Sequence, residues 1–146
     1  MNCSGYVVDA SATAPLILPD EHSDSVDSLF EKAFLKSVKL TMPVLWIWEC
    51  TNLLKSAVKR RRINERDAKQ SLRLLSGLPV TLLPAQTDEI PFVFEIALQH
   101  DLSVYDAVYF YYAKKNGAGL VTLDKNLLKL QKAYHFILTP DQIITA

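Results

Sequence analysis

Short apolar runs alternate along the chain with longer segments of helical periodicity. The apolar runs lack polar positions on either face, which is typical of strands covered on both sides; they lie at 6–9, 39–41, 80–83, 120–123 and 135–138. The helical segments lie near 23–36, 44–61, 65–76, 88–100, 104–115 and 125–132. This alternation predicts an α/β fold, a three-layer doubly wound sandwich with a short, mostly parallel central sheet.

Four carboxylates interrupt or end the most apolar stretches, where acidic residues are not expected. Burying an ionised carboxylate costs roughly several kcal/mol unless a cation or hydrogen-bond donors compensate. Only one of the four has a basic residue within three positions, namely Lys125 beside the last of them. The four acids are Asp9, Glu49, Asp106 and Asp124.

The predicted fold places three of these acids at the ends of elements. Asp9 and Asp124 end the first and fourth predicted strands, Asp106 opens a helix, and Glu49 lies about two turns into another. Ligands of open parallel sheets bind beyond the carboxyl ends of the strands. Carboxylates gathered there would repel one another, and Mg²⁺ or Mn²⁺ would relieve that repulsion. Such a site suits metal-assisted hydrolysis of a phosphodiester.

Each acid also has a purely structural interpretation. Asp9 could form an Asx-turn, and Asp124 could cap the helix that follows it. Ser103 and Asp106 have the spacing of a capping box. Glu49 could lie on a solvent-facing edge of its helix. The joint placement of the four acids, rather than any one of them, favours the metal site.

Composition and charge narrow the class of protein. The chain has 146 residues and a mass of 16.5 kDa, so we expect a single domain spanning 1–146. Sixteen basic and sixteen acidic residues cancel, so any affinity for RNA must come from local charge. Cys3 and Cys50 are interpreted as free thiols of a reducing compartment. Without an apolar run long enough for a membrane or a signal peptide, we expect a cytoplasmic protein with no membrane partner.

Two basic faces could supply that local charge. The first comprises Lys55, Lys59 and Arg62, which recur at steps of four and three residues and are candidates for contacts with an RNA backbone. The second comprises Arg66, Lys69 and Arg73. Ordinary solvated helix surfaces would have the same spacing.

Aromatic and histidine residues have more conventional interpretations. Tyr105, Tyr109 and Tyr112 follow a helical stripe that could stack on bases, although packing in the core or at a subunit interface is the more ordinary role. The three histidines share no metal-ligand spacing and are interpreted as structural or surface residues; they are His22, His100 and His135.

The sequence around the four acids resembles the PIN-domain family, in particular the VapC-type toxin ribonucleases. The resemblance runs nearly end to end and is carried by four strings in this order: VVDAS from Val7, ECTN from Glu49, LSVYDA from Leu102 and VTLDKNL from Val121. It implies a PIN-like fold in which the four acids bind Mg²⁺ or Mn²⁺. It also implies supporting roles for Ser11, Asn52 and Thr122. Asn52 shares a helical face with Glu49 and could orient it or donate to a phosphate.

The same resemblance implies a reaction and partners. The reaction would be endonucleolytic hydrolysis of RNA that leaves 5′-phosphate and 3′-hydroxyl ends, with Asp9, Asp106 and Asp124 as ligands and Glu49 as a further ligand or a base. VapC-type proteins usually form homodimers and are inhibited by a protein antitoxin. A non-toxin nuclease of RNA processing and a catalytically silent binding module remain alternatives.

Phosphoacceptor receivers and aspartate-nucleophile phosphatases share the α/β architecture. A phosphatase of that class needs a second aspartate two places after the first, where this chain has Ser11. A receiver needs adjacent acids after its first strand, where Asp9 stands alone. Both classes are therefore disfavoured.

Overall fold

A computed structural model describes residues 4–143 and shows one five-stranded sheet in the order β3-β2-β1-β4-β5. Every strand pairing in it is parallel. The strands are β1 (Ser4–Val8), β2 (Val38–Pro43), β3 (Val80–Leu83), β4 (Gly119–Val121) and β5 (Ile137–Leu138). The parallel sheet that the apolar runs predict is confirmed.

Helices connect the strands and cover the sheet in two groups. The helices are α1 (Ala10–Ile17), α2 (Asp24–Phe34), α3 (Leu45–Lys59), α4 (Glu65–Ser76), α5 (Ile90–His100), α6 (Val104–Lys115) and α7 (Lys125–Leu128). Short 3₁₀ turns occupy Thr87–Glu89 and Pro140–Gln142. Helices α1 to α4 contact one another, while α5 packs on α6, and α6 packs on β1, β2 and β4. The predicted three-layer architecture is confirmed.

The carboxyl-terminal residues of β1 and β4 are completely buried. Val7 and Val8 on β1, and Leu120 and Val121 on β4, each expose 0% of their surface. Strands covered by helices on both faces have no solvent-facing side, so their sequences contain no polar alternation. The sheet therefore holds the carboxyl ends of β1 and β4 in a rigid, adjacent position.

The structure differs from the predicted elements at four places. Helix α1 is absent from the prediction because it is short, consists mostly of small residues and contains Pro15, which obscures helical periodicity. Helix α7 has four residues instead of eight, and β5 has two instead of four. β4 ends at Val121, so Asp124 lies in the loop beyond the strand.

The cysteines and helices bear on the predicted compartment. Cys50 is a buried free thiol. Burial is the main cause that raises its pKa, and the nearby charges of Glu49 and Asp9 raise it further. Cys3 lies outside the described residues. Between residues 4 and 143, none of the helices has the length and apolar character that a membrane crossing requires. The cytoplasmic location stays a prediction.

Candidate active site

Asp9 lies at the centre of the candidate site because β1 ends and α1 begins there. Its backbone N–H donates to the Val121 carbonyl at 3.1 Å, which continues the pairing of β1 with β4 by one residue. Its Oδ1 accepts the Ala12 N–H at 3.0 Å, so the carboxylate caps α1. The residue is only 3% exposed. Its structural role as a cap and its proposed role as a ligand are therefore compatible.

Two hydroxyl groups fix the Asp9 carboxylate, one on each oxygen. The Ser11 hydroxyl donates to Oδ1 at 2.6 Å, and the Thr122 hydroxyl donates to Oδ2 at 2.5 Å. Each hydroxyl in turn accepts a backbone N–H at 2.9 Å, Ser11 from Leu123 and Thr122 from Asp124. Because each hydroxyl oxygen accepts a backbone N–H, its own hydrogen is available to donate to the Asp9 carboxylate. The supporting positions predicted for Ser11 and Thr122 thus lie against the first acid.

Asp124 begins α7 on the same loop. Its Oδ1 accepts the N–H groups of Asn126 at 2.9 Å and Leu127 at 3.2 Å. These bonds match the predicted helix cap, and the structure shows no protein hydrogen bond to Oδ2 among the described residues. One oxygen of Asp124 is therefore free for another partner.

Asp106 and Glu49 approach from two helices. The Asp106 N–H donates to the Ser103 hydroxyl at 3.1 Å, which is one half of the predicted capping box. The hydrogen bonds described for residues 4–143 include none from the Ser103 N–H back to the Asp106 carboxylate. The Glu49 Oε1 accepts a hydrogen bond of 2.6 Å from the Tyr109 hydroxyl. The capping box is therefore half formed. A hydrogen bond with the Ser103 side chain lowers the pKa of Asp106 against its burial, and Glu49 has one oriented oxygen.

The four acids influence one another electrostatically. Burial raises the pKa of Asp9 to about 6, and the charge of Asp106 contributes to the rise. The hydrogen bonds from Ser11, Thr122 and Ala12 lower this pKa but do not outweigh burial. Burial followed by the charge of Asp124 raises the pKa of Asp106 to about 6, with a further contribution from Glu49. Burial also raises the pKa of Glu49, as does the charge of Asp124. The hydrogen bonds agree with this influence: Thr122 bonds both the Asp9 carboxylate and the Asp124 N–H, and Glu49 is bonded to the helix that carries Asp106.

No protein cation neutralises this region in the part of the chain that the structure describes. The ion pairs between residues 4 and 143 involve other acids, and none includes Asp9, Glu49, Asp106 or Asp124. Carboxylate oxygens without a basic partner are the ligands that hard divalent cations prefer. Asp124 and Glu49 each keep one oxygen to which no described residue donates. The residues present therefore fit the implied Mg²⁺ or Mn²⁺.

Within residues 4–143, one group of histidine and acidic side chains has its possible metal-ligand atoms within 4.8 Å of one another. This group does not include any of the four predicted acids. It comprises His22, which precedes α2, and Asp24 and Asp27 in the first turn of that helix. The His22 Nε2 donates to the Asp24 Oδ1 at 2.7 Å, and its Nδ1 lies 3.5 Å from the Asp27 Oδ2. These distances describe an exposed ion pair, consistent with the surface role predicted for His22. Among the described residues, the four predicted acids do not form a group this tight.

Two predicted site residues have surroundings that bear on their interpretation. Asn52 is exposed, and the hydrogen bond described for the Glu49 carboxylate comes from Tyr109, so the supporting role of Asn52 stays a prediction. Arg62 donates to Asp20 and to Glu21, each at 2.8 Å. Its charge is therefore already balanced, because the chain turns after α3 and directs Arg62 to the loop between α1 and α2.

The aromatic stripe divides between surface and core. Tyr105 is 60% exposed, whereas Tyr109 and Tyr112 are buried, which excludes base stacking by the latter two. Burial, then the charge and hydrogen bond of Glu49, raise the pKa of Tyr109, so its phenol is a donor. Sequence reasoning missed this role. The signal available was its position three residues after Asp106 on one helical face.

The sequence profile of the PIN domain family matches residues 6–133 of the chain. Ribonuclease VapC3 of Pyrobaculum aerophilum is 33% identical over 122 residues, which cover 83% of this chain and 90% of the relative. Exonuclease VapC9 of the same organism is 30% identical over 127 residues, covering 87% and 86% respectively.

A solved protein structure from Pyrobaculum aerophilum has the same fold. It superposes with a TM-score of 0.67 at 27% sequence identity, and the match covers 87% of this chain and 84% of the other. The profile match, the relatives and the sheet with its convergent acids agree with one another. The chain belongs to the PIN-domain family.

Proposed function

We propose that this protein is a metal-dependent endoribonuclease that hydrolyses RNA phosphodiester bonds and serves as the toxin of a toxin–antitoxin pair. The observation that carries the proposal is the convergence of Asp9, Glu49, Asp106 and Asp124 on one region without a basic partner among the described residues. The names of the two VapC relatives support nuclease chemistry.

Asp9, Asp106 and Asp124 are the proposed ligands of Mg²⁺ or Mn²⁺, directly or through water. The bound cation would lower the pKa of a water molecule and stabilise charge on the leaving oxygen. Ser11 and Thr122 hold the Asp9 carboxylate in one orientation, so little reorganisation is needed when a cation binds. Glu49 completes the ligand set or accepts the proton of the attacking water.

Exposed residues on α3 support an RNA path beside the acids. Trp48 is 65% exposed, and Asn52, Lys55 and Lys59 follow it at helical spacing on the solvent side. Within residues 4–143 neither lysine forms an ion pair. Arg62 does, with Asp20 and Glu21, so we do not propose it as an RNA contact. The lysines would contact phosphates, Asn52 could donate to a phosphate, and Trp48 offers a stacking surface for a base.

The remaining proposals follow from the family. We propose one PIN domain over 1–146, a homodimer, a protein antitoxin and action in the cytoplasm. Large apolar side chains exposed on α5 support a protein interface of either kind, since such patches are usually covered; they are Ile90, Phe92, Phe94 and Leu98.

The experiment that tests the proposed function uses purified protein with a linear RNA and with the same RNA made circular. Cleavage of both with Mg²⁺ or Mn²⁺, loss of cleavage in EDTA and recovery on adding metal are expected. Cleavage of the linear RNA alone would show an exonuclease, the activity that the name of one relative carries. Intact RNA with metal binding retained would indicate a silent module.

A further inference from the structure

Tyr109 is a buried tyrosine whose hydroxyl is directed at one acid of the proposed site. It is 1% exposed, and its hydroxyl donates to the Glu49 Oε1 at 2.6 Å across a separation of 60 residues in sequence. A buried phenol needs a polar partner, and among the described residues Glu49 is the one it has. The other oxygen of Glu49 has no hydrogen bond within residues 4–143.

The contact joins the two helices that bring acids to the site. Asp106 and Tyr109 are three residues apart on α6, so they lie on neighbouring parts of one helical face. Asp106 approaches the site directly, while Tyr109 reaches Glu49 on α3. The charge of Glu49 influences Asp106, so the two acids are neighbours in space. One turn of α6 thus supplies one acid and holds a second.

We propose that Tyr109 is a positioning residue, which fixes Glu49 by its Oε1 and leaves the Oε2 directed to the metal site. This inference rests on the proposed function, since it assigns a role within that site. Partners that orient metal ligands typically contribute about 10- to 100-fold to metal affinity. Tyr109 touches neither substrate nor cation, and its effect passes through Glu49.

The same helix provides a matched control. Tyr112 is also buried, and its hydroxyl donates to the Glu89 Oε1 at 2.5 Å. Glu89 belongs to a separate pair with Lys115 at 3.2 Å. Tyr109→Phe and Tyr112→Phe therefore each remove one buried hydroxyl from a carboxylate, and only the first carboxylate belongs to the proposed site.

The test measures Mn²⁺ affinity by titration calorimetry on the full chain, freed of metal beforehand, together with RNA cleavage. The proteins are the wild type, Tyr109→Phe, Tyr112→Phe, Glu49→Gln and the double variant of Tyr109 and Glu49. We expect Tyr109→Phe to weaken Mn²⁺ binding about 10- to 100-fold and Tyr112→Phe to change it less than about twofold. In the Glu49→Gln background, Tyr109→Phe should have almost no further effect.

Several outcomes would overturn the inference, and they are distinguishable. Equal effects of the two tyrosine variants, or effects of Tyr109→Phe and Glu49→Gln that simply multiply, would show a structural role for Tyr109. Thermal unfolding without metal confirms that the variants are folded at the assay temperature. A wild type that neither binds Mn²⁺ nor cleaves RNA would instead refute the proposed function itself.

Discussion

Two glutamates in this protein each accept a hydrogen bond from a tyrosine of α6, yet their surroundings differ. Glu89 is 6% exposed and is also bonded to the Lys115 ammonium at 3.2 Å and the Gln86 N–H at 3.0 Å. Burial alone would raise the pKa of Glu89, but its partners outweigh it, so that pKa is lowered. Glu49 has Tyr109 and no cation among the described residues, and its pKa is raised.

The difference indicates which acids serve the fold and which are available for a ligand. Glu89 is balanced by groups of the protein itself and joins the 3₁₀ turn before α5 to α6. Asp9, Asp106 and Glu49 are held in place by donors but keep charges that the protein does not balance. Such unbalanced buried charge is costly and is characteristic of functional sites.

The largest effect on RNA cleavage should come from Asp9→Asn, which removes the negative charge of one proposed metal ligand. Asparagine still caps α1, so the fold should persist. Loss of a ligand that supports several kcal/mol of transition-state stabilisation predicts RNA cleavage at least about 100-fold slower. Asp24→Asn, which alters an exposed acid of the His22 group, is the control. Equal rates for the wild type and Asp9→Asn would contradict the assignment.

The pH dependence of stability should reveal the unbalanced charges next. Asp9 and Asp106 have pKa values of about 6 in the fold, above the ordinary 3.8. The folded state therefore binds protons more tightly, and the unfolding free energy of metal-free protein should fall as pH rises from about 4 to about 6. Asp9 should contribute about 3 kcal/mol, and the half-exposed Asp106 less because of solvent screening.

Urea unfolding of the wild type and of Asp9→Asn across that range measures the difference directly. Glu89 has the opposite sign, since its lowered pKa gives stability that is lost only as pH falls below its ordinary value of 4.5. If the unfolding free energies of the wild type and Asp9→Asn changed in parallel between about pH 4 and about pH 6, the charge of Asp9 would not destabilise the fold.

The two glutamates should respond oppositely to neutralisation. Glu89→Gln removes charge-assisted bonds from a balanced network, so metal-free protein should lose about 1–3 kcal/mol of unfolding free energy. Glu49→Gln removes an unbalanced charge and should leave that free energy unchanged or higher. Denaturant unfolding of both variants at neutral pH measures this. A larger loss for Glu49→Gln than for Glu89→Gln would reverse the comparison.

The smallest effect expected is a stabilisation by Asp106→Asn without metal. Removing its repulsion with Asp124 and Glu49 should raise the unfolding free energy by about 1 kcal/mol or less. The Ser103 hydroxyl accepts a backbone N–H that the variant retains. A lower melting temperature in EDTA would mean that the carboxylate acts as a helix cap.

The sheet and the acids were accessible to sequence reasoning for related reasons. Strands buried on both faces leave unbroken apolar runs, and an acid that interrupts such a run is conspicuous, as Asp9 is after Val8. Helix α1 was missed because its burial comes from packing in a layer of helices, which small residues and Pro15 do not reveal.

The partners of polar side chains were less accessible because tertiary contacts decide them. Arg62 appeared to extend a basic face, but Asp20 and Glu21, some 40 residues earlier, bind it. Glu49 appeared to need Asn52, three residues along its own helix, whereas the hydrogen bond described for its carboxylate comes from Tyr109 on another helix. Local spacing identified which residues matter but not which residues they contact.

The most direct test of the central claim is the position of Mn²⁺ in crystals of the protein, located by its anomalous scattering. We expect a peak among the carboxylates of Asp9, Asp106 and Asp124, with Glu49 beside it. A peak confined to His22, Asp24 and Asp27 at the start of α2, or none near Asp9 at saturating Mn²⁺, would contradict this site.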